Sequence, residues 1–143
     1  MPPSAQDTLP SLQQLPRAQL PLVNRFYRAY QRGMKARGDQ HVWTLRAPHI
    51  CAAVCLQPVE SGYWLTSLLV APDLRAQGLG SHLLQQLRRR VSGPIWLFCA
   101  PSLLPFYQAC GYQPTATLPQ PLSSRLQRYQ RTKSLIALVS TCT

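Results

Sequence analysis

Along this chain, segments with helical spacing of apolar residues alternate with strand-like apolar runs. The pattern changes at glycine and proline residues. From Leu22 to Tyr30, apolar side chains recur three and four residues apart with arginines on the opposite side, which predicts an amphipathic helix. Residues 41–46 and 50–56 are strand-like apolar runs separated by Ala47-Pro48-His49. This pattern predicts two strands joined by a tight turn.

The middle of the chain has the pattern of a strand, a helix and a second strand. Residues 63–70 are mostly apolar, leucines share one face of residues 79–91, and residues 95–99 form an apolar run after Ser92-Gly93-Pro94. In such a βαβ unit the two strands are parallel and the crossover is right-handed. Ligands bind beyond the carboxyl ends of such strands, so the loop 75–80 is expected at the mouth of a ligand site.

Shorter elements are predicted in the last third of the chain. Ser102 is a plausible N-cap for a helix over 103–110, and Gly111 suits the left-handed position after it. The remaining expectations are a strand near 112–117, a helical turn or two within 123–129 and a last strand over 134–140.

The first 16 residues contain four prolines and no sustained apolar period. We therefore expect residues 1–16 to be irregular, with no convincing first strand before the helix. The rest, residues 17–143, is expected to form a single domain, since 143 residues with 45% hydrophobic content suffice for one core.

A formal net charge of +11 arises because acids are scarce: Asp7, Asp39, Glu60 and Asp73 oppose 15 lysines and arginines. The resulting field attracts polyanions, including phosphate-bearing cofactors and nucleic acid. A solvated basic surface without a macromolecular role explains the same charge equally well. The run Arg88-Arg89-Arg90 falls in the last turn of a predicted helix, where cations favour the dipole, which indicates a structural role.

The five cysteines, Cys51, Cys55, Cys99, Cys110 and Cys142, lie mostly in apolar runs and show no metal-ligand spacing. Reduced thiols, a cytoplasmic location and no bound metal are therefore expected. No window approaches the ~18 apolar residues of a membrane span, and no signal-peptide pattern is present.

The most informative segment is Arg75-Ala76-Gln77-Gly78-Leu79-Gly80, between a predicted strand and a predicted helix. The first amides of a helix have no intrahelical acceptor, and together with an arginine they suit a bound diphosphate. A dinucleotide fingerprint is excluded because the later acid is missing, and a P-loop is excluded because no lysine is near. What remains is a diphosphate held by the amides of residues 76–81 and by Arg75.

These residues resemble the GNAT superfamily of N-acetyltransferases. Leu68-Leu69-Val70-Ala71-Pro72 followed by the loop is similar to its acetyl-CoA motif, and Pro105-Phe106-Tyr107-Gln108-Ala109-Cys110-Gly111-Tyr112 is similar to its second motif. The resemblance covers residues 20–140. It implies an α/β (α+β) fold: a mixed, mostly antiparallel sheet with a central splayed parallel pair, a βαβ crossover and helices on both faces.

The resemblance also implies roles for individual residues. The pantetheine arm of acetyl-CoA is expected along the backbone of Leu68, Leu69 and Val70, where the parallel strands diverge. The diphosphate is expected at Arg75 and at the amides of Ala76, Gln77, Gly78, Leu79, Gly80 and Ser81. Tyr107 is expected to protonate the departing thiolate, a role that suits a shielded phenol, although a core tyrosine has the same helical spacing. Some members place an asparagine where this chain has Ala100.

No general base is recognisable in the sequence. Attack on the thioester requires a neutral amine, whereas an alkylamine has a pKa near ~10.4. Glu60 is expected to be a turn residue, and His41, His49 and His82 have no recognisable catalytic partner. A water relayed through backbone carbonyls serves equally well. Cys99 lies in an apolar strand and is expected to be an inert thiol.

The leading function is an acetyl-CoA-dependent N-acyltransferase that works by direct attack in a ternary complex on an unidentified amine. The scarcity of acids favours a neutral or acidic acceptor, or a protein amino group. Two alternatives stay open: an acyl-CoA sensor or partner-binding module with little catalysis, and an acetyltransferase directed at RNA or aminoacyl-tRNA. The sequence indicates no oligomeric state.

Overall fold

The computed structural model describes residues 9–140 as a seven-stranded sheet with helices on both faces. The elements are β1 (Leu12–Gln14), α1 (Leu20–Tyr30), β2 (His41–Arg46), β3 (Ile50–Val59), β4 (Gly62–Val70), α2 (Leu79–Arg90), β5 (Ile95–Cys99), α3 (Leu104–Ala109), β6 (Tyr112–Pro114), α4 (Gln120–Tyr129) and β7 (Ile136–Ser140).

The strand order is β1-β2-β3-β4-β5-β7-β6. Every neighbouring pair is antiparallel except β4 and β5, which are parallel and joined by the crossover helix α2. The expected fold class is therefore confirmed, including the βαβ unit at the centre of the sheet.

Alternation along β3 shows how the two helical layers are built. Ala52, Val54 and Leu56 pack in the cluster that contains the leucines of α2, whereas Ala53 and Cys55 pack with α1. Successive residues of a strand point to opposite faces, so this central strand serves both cores. The leucines of α2 that the sequence placed on one face are all buried, and each contributes about 1.5–3 kcal/mol of transfer free energy.

The expectation that residues 1–16 are irregular is wrong at β1. Leu12 pairs with Leu45 of β2 and is buried, and the amide of Leu15 donates to the carbonyl of Val42. A three-residue strand has too few positions to produce a periodic pattern, and its stability comes from the edge of β2. Residues 1–8 lie outside the described part of the chain.

Several boundaries in the last third of the chain differ from the sequence predictions. Ser102 lies in a 3-10 turn and makes no capping hydrogen bond, so its assignment as an N-cap is wrong. Strand β6 is shorter than expected, and α4 is longer than a turn or two. The prolines that suggested a broken segment occupy the N-cap and the first turn of α4, where a missing N–H does no harm.

The four described cysteines, Cys51, Cys55, Cys99 and Cys110, are free and buried, as expected; Cys142 lies outside the described residues. Two arginines of the run that ends α2 make structural hydrogen bonds: Arg88 Nη1 donates to the carbonyl of Cys110, and Arg90 Nη1 donates to that of Leu12. Between residues 9 and 140, no helix has the length and apolar character needed to cross a membrane.

Candidate active site

The site lies where the two parallel strands separate. Strands β4 and β5 pair from Tyr63 with Ile95 to Leu65 with Leu97, and the pairing then stops. Both strands continue beyond that point, β4 to Val70 and β5 to Cys99. One edge of residues 66–70 therefore has no partner in β5.

A β-bulge coincides with this separation. On β3, one residue separates Ala53 from Cys55, but their partners on β4, Leu69 and Thr66, are separated by two. The bulge contains Ser67, whose backbone is in a left-handed conformation with φ of 58°. A bulge bends its strand and increases the local twist, which turns β4 away from β5.

A cavity of about 620 Å³ opens at the diverging strands. It is lined by Leu68, Leu69, Val70, Leu74, Arg75, Ala76, Gly78, Leu79, Gly80, Ser81, Leu103, Phe106 and Tyr107. Every residue that the sequence placed at the site is among them except Gln77, which is exposed on the loop. Sequence reasoning missed Leu74, Leu103 and Phe106; of these, only Phe106 carries a signal, since it stands in the second motif.

The loop before α2 presents its amides to this cavity. Ala76 and Gly78 are left-handed, with φ values of 66° and 78°, and left-handed residues of this kind can gather successive N–H groups into a concave nest. The helical hydrogen bonds of α2 begin at His82, whose amide donates to the carbonyl of Gly78. Within the described chain, the amides of residues 76–81 donate to no backbone acceptor. They are open donors at a helix N-terminus.

Arg75 supplies the positive charge at this end of the cavity. Its side chain is exposed, and Nε donates to the carbonyl of Val70 at 3.2 Å. Among the lining residues given above, no other side chain is charged at neutral pH. The cavity therefore combines a cation and open amides with an otherwise apolar wall, which suits an anion attached to an apolar arm.

Tyr107 lines the cavity from α3. Its side chain is only 8% exposed, and its ring packs against those of Phe106 and Tyr112 with centroids 5.0 and 5.9 Å apart. The pKa of Tyr107 is raised to about 12, mainly by burial and to a smaller extent by the neighbouring thiols of Cys99 and Cys110. The phenol is therefore neutral at physiological pH and can donate a proton.

The candidate bases lie elsewhere. Glu60 is in the turn between β3 and β4, as expected, at the end of β4 opposite the cavity. His82 Nε2 is 2.8 Å from the carbonyl of Pro10, the His41 ring packs on Tyr63, and His49 lies in the turn after β2. None of these four side chains lines the cavity.

Two further expectations concern thiols and metals. Cys99 is buried, and burial raises the pKa of its thiol, which keeps it protonated and weakly nucleophilic. Among residues 9–140, no three His, Cys, Asp or Glu side chains lie close enough together to hold a metal ion.

Solved structures with the same fold cover nearly the whole chain. ElaA of Escherichia coli superposes with a TM-score of 0.67 at 16% identity, over 92% of this chain and 99% of that one. N-acetylglutamate synthase of Neisseria gonorrhoeae, complexed with coenzyme A and N-acetyl-glutamate, superposes with 0.64 at 13% identity, over 91% of this chain and 34% of that one. Naa50 of Arabidopsis thaliana, complexed with the bisubstrate analogue CoA-Ac-MVNAL, superposes with 0.62 at 14% identity, over 93% and 98%.

A search of the curated proteins found no significant match to this chain. The family model described as an acetyltransferase (GNAT) domain, in contrast, matches residues 38–114, from the turn before β2 to the end of β6. This match spans just over half of the chain and includes the split strands, the loop and Tyr107. The chain therefore belongs to the GNAT family of acetyltransferases.

Proposed function

We propose that this protein transfers the acetyl group of acetyl-CoA to an amine by direct attack in a ternary complex. The observation that carries the proposal is the unpaired edge of β4 beside open amides at the start of α2. The reaction takes place within a single domain, residues 17–143. The same domain includes β1, because β1 pairs with β2 at the edge of the sheet.

The cofactor is held at two places along the cavity. The diphosphate lies on the amides of residues 76–81, with Arg75 as its cation, since both the nest and the helix N-terminus favour an anion. The pantetheine arm extends along residues 68–70 and pairs with the backbone edge that β5 leaves free. Coenzyme A in the Neisseria synthase and in the Arabidopsis complex supports this choice of ligand.

Tyr107 supplies the proton for the leaving group. The neutral amine nitrogen attacks the thioester carbon, the C–S bond breaks, and the CoA sulfur takes the phenolic proton, which the tyrosinate then regains from water. A pKa of about 12 makes the phenol a weak acid, but the same apolar surroundings also raise the basicity of a thiolate formed beside it. The amine loses its proton to water at the mouth of the cavity, because no carboxylate or imidazole lines it.

The acceptor is the α-amino group of an amino acid or a peptide. The cavity wall contains Arg75 and no acid, so it does not attract a polyamine and tolerates a nearby carboxylate. The N-acetyl-glutamate of the Neisseria complex and the acetylated peptide of the Arabidopsis complex are products or analogues of this class.

Isothermal titration calorimetry with CoA and acetyl-CoA, followed by thiol release with a panel of amino acids and peptides, tests the proposal. We expect binding of both nucleotides, turnover with at least one α-amine, and no burst of acyl-enzyme. Failure to bind CoA overturns the proposal. Tight binding without turnover across the panel favours the sensor alternative instead.

A second candidate function, acetylation of an amine carried by RNA, is favoured by one specific observation. A groove of about 280 Å³ lies between α1 and the turn after β2, and it shares no lining residue with the CoA cavity. It is lined by Leu22, Arg25, Phe26, Ala29, Tyr30, Arg46, His49 and Ile50. Tyr30 is 45% exposed, and exposed aromatic rings beside arginines are typical of single-stranded RNA sites.

Fluorescence anisotropy with labelled single-stranded RNA and tRNA over a salt series distinguishes this candidate. If it is correct, the double variant Arg25→Gln and Arg46→Gln loses binding at moderate salt, whereas Arg128→Gln and Arg131→Gln, which remove the same charge near the end of α4, retain it. Equal losses in both variants indicate non-specific electrostatic attraction only.

A further inference from the structure

The hydroxyl of Tyr27 links α1 to the bulge of β4. It donates to the carbonyl of Ser67 at 2.7 Å. Ser67 is the left-handed residue of the bulge and lies two positions beyond the last pair of β4 with β5. The hydrogen bond therefore acts on the backbone at the point where the two parallel strands begin to separate.

Tyr27 is held firmly enough to direct that carbonyl. Its side chain is fully buried, and its ring packs with Val23, Phe26 and Leu69 in the cluster under α1. The hydroxyl is also 3.6 Å from the buried thiol of Cys55 on β3. Burial raises the pKa of both groups, that of Cys55 to about 11, so the hydroxyl remains a donor throughout the physiological range.

A left-handed serine in the middle of a strand is strained and persists only where its surroundings hold it. Without a partner, the carbonyl of Ser67 would be partly buried and unsatisfied, which favours relaxation of the bulge. Relaxation would return residues 68–70 toward a regular strand and toward β5. These residues form the wall of the cavity and the backbone edge at which pantetheine is placed.

We propose that Tyr27 is a positioning residue for the cofactor, which keeps β4 and β5 apart by anchoring the carbonyl of Ser67 to α1. The inference rests on the proposed function, because it assigns the separated edge to acetyl-CoA. Tyr27 does not line the cavity, so it acts through the backbone of β4 and not by contact with the reacting atoms.

The test compares Tyr27→Phe with two matched variants. Tyr27→Phe retains the ring and removes only the hydroxyl. Tyr112→Phe removes another fully buried hydroxyl, which has no hydrogen-bond partner among the described residues. Cys55→Ala removes the second neighbour of the Tyr27 hydroxyl and leaves its bond to Ser67 intact.

Calorimetry should show CoA binding about fivefold weaker in Tyr27→Phe, with a matching rise in the KM for acetyl-CoA and a smaller change in kcat. Hydrogen exchange should be faster across residues 66–70 in this variant, in the absence of CoA. The two matched variants should change CoA affinity by less than about twofold, since neither alters the bulge.

Unchanged CoA affinity and unchanged exchange in a folded Tyr27→Phe protein would overturn the inference. Absence of CoA binding in the unsubstituted protein overturns the proposed function, while faster exchange in Tyr27→Phe would still establish the anchoring of the bulge. Should Tyr27→Phe not fold, Ser67→Val tests the same point, because a β-branched residue disfavours the left-handed conformation. Unweakened CoA binding by folded Ser67→Val then rejects the inference.

Discussion

The two halves of β4 differ in how their backbone pairs with the neighbouring strands. Residues 63–65 pair with β5 on one side and with β3 on the other, and Trp64 and Leu65 are buried. Residues 66–70 pair only with β3, contain a bulge and border a cavity. The paired half is thus held on both edges by neighbouring strands, whereas two carbonyls of the open half accept hydrogen bonds from side chains, Ser67 from Tyr27 and Val70 from Arg75.

The largest effect should come from the paired half. Leu65→Ala removes a side chain that is 4% exposed and should lower the free energy of unfolding by about 3 kcal/mol, measured by urea denaturation. CoA affinity of the folded protein should be nearly unchanged. Leu68→Ala, in the open half, should cost less stability and weaken CoA binding more; the reverse ranking would contradict the comparison.

Removal of the phenol should affect chemistry and leave binding intact. We expect Tyr107→Phe to lower kcat by about 100-fold, the lower end of the range for a general acid, with CoA affinity preserved. Tyr63→Phe, in the paired half, is the matched control and should retain full activity. Full turnover by Tyr107→Phe, when chemistry limits the rate, rejects the role of this residue as the acid.

Left-handed glycines offer a matched pair of substitutions. Gly78, in the loop, and Gly33, after α1, have φ values of 78° and 91°, and an added Cβ meets no atom within 4 Å at either place. Alanine at each should cost about 1 kcal/mol of stability through backbone strain alone. Calorimetry should show weaker CoA binding, by about tenfold, only for Gly78→Ala. A similar loss of CoA affinity in both variants would contradict a role of the loop in binding CoA.

Arg75→Gln should weaken CoA binding by about fivefold at low ionic strength, because the proposed contact between this exposed cation and the diphosphate is open to solvent. The effect should shrink as salt is added. Arg17→Gln, an exposed arginine before α1, is the control and should change affinity little. A salt-independent loss would indicate that Arg75 acts through its bond to Val70 and not through its charge.

The smallest expected effect is on the pH profile. Since the pKa of Tyr107 is raised to about 12, activity should rise with pH as the acceptor amine deprotonates and should not decline below about pH 10 from loss of the phenolic proton. The same raised pKa stabilises the fold fully below the ordinary tyrosine pKa of about 10, and this contribution is lost as pH rises toward 12. Initial rates and thermal midpoints across this range measure both.

Local sequence signals were sufficient for most of the fold and for the loop. Long periodic segments such as α1 and α2 were predicted because each buries a whole face, which leaves a repeated pattern of apolar residues. β1 escaped prediction because a three-residue strand is stabilised by its partner and not by its own pattern. α4 was underestimated because prolines, usually helix breakers, stand at its start.

The role of Tyr27 shows the limit of such signals. In the sequence, Tyr27 is one more apolar position on the buried side of α1, and nothing near Ser67 marks a bulge. Their hydrogen bond joins residues 40 positions apart, and its effect depends on a register shift between two strands.

The sequence by itself determined the order of the elements, the parallel βαβ unit and the glycine-containing loop, because periodicity, turn residues and left-handed glycines act over a few neighbouring residues. Only the tertiary structure decided where β4 leaves β5, how far Tyr107 is buried and which carbonyl Tyr27 anchors. These features depend on pairing and burial between distant segments, and such energies have no local trace in the chain.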